Sequence, residues 1–131
     1  MLMKKRMLLA MLLCVFVLSN QAVAGDWKKL GEKTVNLLGE RESIWVSDHN
    51  RYNFIKLKVL DQGVEFRKVV VVFGDGQRRE MPVRSFIRKG GETVALQLPR
   101  GSRYITRIIL EYKTRSGTLK RGRVVVYGRR S

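Results

Sequence analysis

Val69-Val70-Val71-Val72-Phe73-Gly74-Asp75-Gly76 is the plainest strand-and-turn signal in the chain. Five consecutive β-branched or aromatic residues leave no polar face, which predicts a central strand covered on both sides or shielded by a neighbouring loop. The Gly-Asp-Gly that follows signals a tight hairpin, because Asp-Gly tolerates the positive φ values such a reversal needs. The returning strand is read over Gln77 to Val83. Pro82 has no N–H to donate, so the end of that strand belongs at a sheet edge or a bulge.

Working outward, the same grammar repeats. Phe54 to Val59 alternates, with Ile55, Leu57 and Val59 facing one way and Lys56 and Lys58 the other. Thr93 to Leu98 places Val94, Leu96 and Leu98 inward. Tyr104 to Tyr112 sets Ile108, Leu110 and Tyr112 against Arg107, Glu111 and Lys113. Arg123 to Tyr127 is strongly β-branched, and Asp26–Leu30 and Ser43–Val46 are candidate first strands. Period-two alternation predicts strands buried on one face and wet on the other. Turns are marked at Asp61-Gln62-Gly63, Lys89-Gly90-Gly91-Glu92, Pro99-Arg100-Gly101-Ser102 and Ser116-Gly117. About eight or nine short strands at such spacing predict a single all-β sandwich of about eight antiparallel strands, jelly-roll-like or immunoglobulin-like.

The amino terminus reads differently. A basic Lys4-Lys5-Arg6 precedes an apolar run from Met7 to Leu18, and Ser19 to Ala24 closes on Ala-x-Ala. This is the tripartite layout of a secretory signal peptide, with cleavage expected between Ala24 and Gly25 and the sandwich occupying residues 25–131. The run is shorter than the roughly 20 apolar residues a spanning helix needs. Export is therefore expected, to the periplasm or beyond, with no transmembrane segment after removal of the leader. Cys14 is the only cysteine and lies inside the leader, so the domain is expected to rely on core burial without disulfides.

Charge bounds the partners. The chain carries 27 Lys+Arg against 11 Asp+Glu, a formal net charge of +16. Lys4, Lys5 and Arg6 account for three of those charges, leaving +13 on residues 25–131. Such an excess attracts polyanions and says nothing of fold. For an exported chain the candidates are anionic polymers and anionic lipid headgroups of the envelope, and intracellular nucleic acid is in the wrong compartment. The clusters Arg84, Arg88 and Lys89, then Arg100, Arg103 and Arg107, bracket one strand and are read as a candidate polyanion-binding edge. Arginine's planar fork suits bidentate pairing with phosphate or carboxylate. The competing account makes the cations solubilising, or pairs them with Glu80, Glu92 and Glu111.

Enzyme chemistry finds little purchase. His49 is the only histidine and no cysteine follows residue 24, so Cys–His and multi-histidine zinc sites are not expected. Ser47-Asp48-His49 holds triad residue types, but adjacency in sequence is not triad geometry, and a polar loop accounts for it. Asp75 alone falls far short of the six to eight oxygen ligands of calcium. No cofactor, metal or catalytic residue is expected. Trp27, Trp45 and Tyr52 are candidates for stacking on sugar rings, against the alternative of core or edge packing.

Trp27-x-x-Leu30-Gly31-x-x-x-Val35, Phe54-x-x-Leu57-x-Val59 and Val71-x-Phe73-Gly74-Asp75-Gly76 carry a resemblance, continued by Pro82-Val83-Arg84-x-x-Ile87-x-x-Gly90-Gly91. Leu98-Pro99-x-Gly101-x-Arg103-x-Ile105-x-Arg107-Ile108 and Gly122-x-x-Val125-x-Tyr127-Gly128 extend it nearly to the end. The chain resembles a family of short secreted bacterial β-sandwich proteins known only as a domain of unknown function. The resemblance implies export and this fold, and brings no activity or site with it. The leading expectation is a non-enzymatic module binding an anionic envelope component through a basic surface. The alternative is a carbohydrate-binding or envelope protein-assembly module whose charge is incidental.

Overall fold

The computed structural model describes residues 26–36, 40–101, 103–113 and 121–130. The leader expected at 1–24, with Cys14 and the expected cleavage point, and the expected Ser116-Gly117 turn lie outside the described residues. Among the described residues there are nine strands: β1 (Lys28–Thr34), β2 (Arg41–Trp45), β3 (Phe54–Leu60), β4 (Val64–Phe73), β5 (Arg78–Met81), β6 (Phe86–Ile87), β7 (Leu96–Gln97), β8 (Ile105–Lys113) and β9 (Arg123–Arg129). They form two antiparallel sheets, β1-β9-β3-β7 and β2-β8-β4-β5, with β6 pairing to the start of β4.

This order separates the two expected topologies. β1 pairs β9, β2 pairs β8, β3 pairs β7 and β4 pairs β5, while β1 and β2 lie in different sheets. First-with-last nesting of this kind is one long hairpin rolled on itself, a jelly roll. An immunoglobulin order would keep its first two strands adjacent in one sheet.

The core lies between the sheets. Ile55, Leu57, Val59, Val124 and Val126 from one meet Val69, Val71, Phe66, Ile108, Leu110 and Tyr112 from the other. Each such side chain contributes roughly 1.5–3 kcal/mol on burial. Among the described residues no polar or charged side chain is buried. β4 is central, as its apolar run requires, but it begins at Val64, five residues before the all-apolar stretch. The hairpin after it closes through Phe73 N–H to Gln77 O and Gly76 N–H to Phe73 O, both 2.9 Å, with Gly76 at φ +86°. β5 is an edge strand and stops at Met81, immediately before Pro82.

One expected phase fails. Alternation predicts Val94 inward with Leu96 and Leu98; it is 78% exposed while both leucines are buried. Lys58 bridges Glu92 and Ile55 pairs Leu96, so three steps along β3 oppose four along the facing segment. The additional residue shifts the alternation by one, as a bulge does, and turns Val94 outward.

Candidate binding face

Register places the outward side chains of β2, β8, β4 and β5 in rows. Trp45, Arg107, Val72 and Arg78 form the first row, and Ser43, Ile109, Val70 and Glu80 the second. Arg41, Glu111 and Lys68 form a third. Alternate residues along a strand lie about 7 Å apart, so the rows tile one continuous face. Val72 is 7% exposed and Ile109 2%, yet neither joins the core between the sheets. Register sets Arg107 and Arg78 beside Val72, and long side chains flank Ile109 in the next row; stems of this kind can cover apolar surface while their charged ends stay in water. A shallow groove of about 260 Å³ runs over Val70 and Ile109 between Arg41, Lys68, Arg78, Glu80 and Glu111.

Trp45 is the exception on this surface. It stands 68% exposed, and the Arg107 guanidinium lies 5.3 Å from its ring centroid. Among the described residues no ion pair joins Arg41, Lys68, Arg78, Arg107, Glu80 or Glu111 to an opposite charge. The face thus presents an aromatic plane beside cations with no carboxylate in ion-pairing range.

The outer face of the other sheet has the same residue types in a closed arrangement. Trp27 has the Lys56 ammonium 4.5 Å and the Arg129 guanidinium 4.8 Å from its centroid, and Arg129 also lies 4.8 Å from Phe54. Lys56 pairs Glu92 at 3.4 Å, Lys29 pairs Glu32 at 3.0 Å, and Arg123 reaches Glu32 and Asp61 at 3.4 Å. These cations are engaged internally, which leaves the Trp45 face as the more available one.

Ser47-Asp48-His49 proves to be an anchoring loop. Asp48 pairs the Lys28 ammonium at 2.8 Å, accepts from the Tyr52 hydroxyl, and accepts from the Asn50 N–H at 2.8 Å. The Lys28 hydrogen bond, then that from Tyr52, holds the Asp48 carboxyl well below the usual carboxylate range, against partial desolvation; the Asn50 N–H adds to the lowering. The same contact raises the Lys28 ammonium. His49 instead stands edge-on to Tyr104, centroids 4.7 Å apart. Tyr52 is buried and committed to Asp48, so of the three aromatic candidates Trp45 alone offers a largely free ring.

The basic clusters read from sequence separate in space. Phe86 pairs Glu65 near the start of β4, and Ile105 pairs Phe73 at its end. Arg84, Arg88 and Lys89 flank the first contact, and Arg100 and Arg103 precede the second. Eight residues of strand rise roughly 26 Å, so the two groups occupy opposite ends of the sandwich and do not share an edge. Arg107 alone of the six lies on the Trp45 face. Trp45, Arg41, Lys68 and Arg78 escaped the sequence reading of that edge. The signal was nevertheless there: with Ile44 and Val46 inward, alternation turns Trp45 outward.

Residues 7–128 match the family model of a domain of unknown function, DUF2541, and the chain belongs to that family. The curated proteins yield no match. Among solved structures the chain is similar to AlgX of Pseudomonas aeruginosa, with a TM-score of 0.50 and 12% identity. That likeness covers 76% of this chain and 26% of AlgX, so the chain spans about a quarter of that protein and shares its fold over that part.

Proposed function

We propose that this protein is an exported, non-enzymatic binding module that takes an anionic polymer of the cell envelope on its β2-β8-β4-β5 face. The observation that carries the reading is Trp45, 68% exposed, beside Arg107 on a surface whose cations form no ion pairs among the described residues. A flat array of cations meets a linear polyanion along its length, and each contact releases bound counterions. The exposed indole adds a plane for a ring of the polymer.

The same indole supports a second reading, stacking on a neutral sugar with the charge incidental. Binding of the purified chain to dextran sulfate and to neutral dextran, over a salt series, separates the two. Polyanion binding requires log affinity for dextran sulfate to fall linearly with log salt, with a smaller slope in Arg107→Ala and Arg78→Ala. Binding to neutral dextran that is insensitive to salt and lost in Trp45→Ala establishes the second reading. Absence of any binding at low salt overturns both.

A further inference from the structure

A concavity larger than that groove lies elsewhere among the described residues, on the flank where the two sheets end. One sheet ends on β7, the other on β5 and β6, and β6 and β7 are two residues each. The chain from Pro82 to Leu96 crosses between them and leaves a cleft of about 700 Å³. Its floor is the core itself: Val83, Ile87 and Leu96 are 5%, 8% and 4% exposed and belong to the cluster between the sheets. Val94, turned outward by the phase shift, stands at its wall. Arg88 lies in the lining, with Lys89 next in the chain.

Two features limit the occupant. An apolar floor continuous with the core, flanked by a valine left in water, favours an aliphatic ligand over a polar one. Arg88 has no carboxylate within ion-pairing range among the described residues, and the one carboxylate of the lining, Glu92, is held by Lys56 at 3.4 Å. The charge presented to a ligand is therefore positive. Strand addition by a peptide is disfavoured, because two-residue edges interrupted by Pro82 offer few backbone hydrogen bonds.

We infer that this cleft binds a medium-chain fatty carboxylate, its acyl chain over Val83, Ile87 and Leu96 and its carboxylate on Arg88. The site is separate from the Trp45 face and does not depend on the polymer reading.

The test is titration of the purified chain with 11-(dansylamino)undecanoate, followed by displacement with unlabelled fatty acids of eight, ten and twelve carbons. Saturable enhancement of dansyl emission is expected, with affinity rising about four-fold per added methylene until the cleft is filled. Arg88→Gln should weaken the carboxylates about ten-fold and leave dodecanol unchanged, since only the ionised head uses the guanidinium. Val94→Asp, at a side chain too exposed to endanger folding, should weaken both. No saturable binding by the wild-type chain, no dependence on chain length, or equal binding by Val94→Asp overturns the assignment. Equal loss of carboxylate and alcohol in Arg88→Gln overturns the placement of the head group.

Discussion

Tyr104 lies so closely across Gly74 that a Cβ on that glycine would fall 2.6 Å from the ring Cζ. The glycine N–H also donates to the Tyr104 carbonyl at 2.8 Å, so the β4–β5 hairpin and the entry to β8 are locked together at one end of the sandwich. Gly74→Ala must push the ring aside, at a cost of about 1–3 kcal/mol. Urea unfolding of Gly74→Ala, Tyr104→Ala and the double variant checks this: the glycine substitution should cost much less once the ring is gone. Equal costs in both backgrounds would show that the ring is not what the methyl meets.

Asp48 makes stability depend on pH with a definite sign. Its carboxyl titrates lower folded than unfolded, so its contribution is complete above the unfolded value of about 4 and is lost as pH falls from there toward the folded value. Its side chain is only 14% exposed, which limits solvent screening. Asp48→Asn should cost about 1–3 kcal/mol at pH 7. Unfolding of both proteins at pH 7 and pH 2.5 reads the difference, which should shrink at the lower pH. A penalty unchanged between the two would refute the ionic account.

Leu110 and Ile109 are neighbours in β8, both nearly inaccessible, at 0% and 2%. Only Leu110 belongs to the core between the sheets. Leu110→Ala should cost about 2–5 kcal/mol, because the packed interior relaxes little around the hole. Ile109→Ala should cost less than half as much, since the flexible side chains covering it can settle onto the alanine. Chemical denaturation midpoints distinguish them, and similar losses would mean that the outer face is as rigidly packed as the interior.

Trp45→Ala should separate binding from folding. The ring is mostly in water, so thermal stability should change by no more than about 0.5 kcal/mol. Affinity for dextran sulfate at low salt should fall about ten-fold, the loss of about 1.4 kcal/mol expected when the indole no longer stacks on a sugar ring. A loss of stability in step with the loss of affinity would assign Trp45 a structural role.

Local periodicity carried much of the fold. β3 and β8 place inward the residues their alternation specifies, and Gly74-Asp75-Gly76 turns where its chemistry requires. β1 was legible only in part, because Gly31-Glu32-Lys33-Thr34 has little apolar character and is recruited by pairing with β9. The slip that exposes Val94 has no local signature, since it follows from how that segment docks on β3. Separation of Arg84 from Arg103 was equally hidden. Two clusters flanking one short strand look adjacent in sequence, but the ten residues of β4 carry their contacts to opposite ends.

The position of β9 governs when the domain can exist. It is the strand between β1 and β3, although it comes last in sequence among the nine described strands. Until residues 123–129 are available, β1 has no neighbour in its sheet and β3 lacks the longer of its two partners. The domain therefore stays open until β9 has been made, and closes through contacts of very long sequence separation, which slows folding.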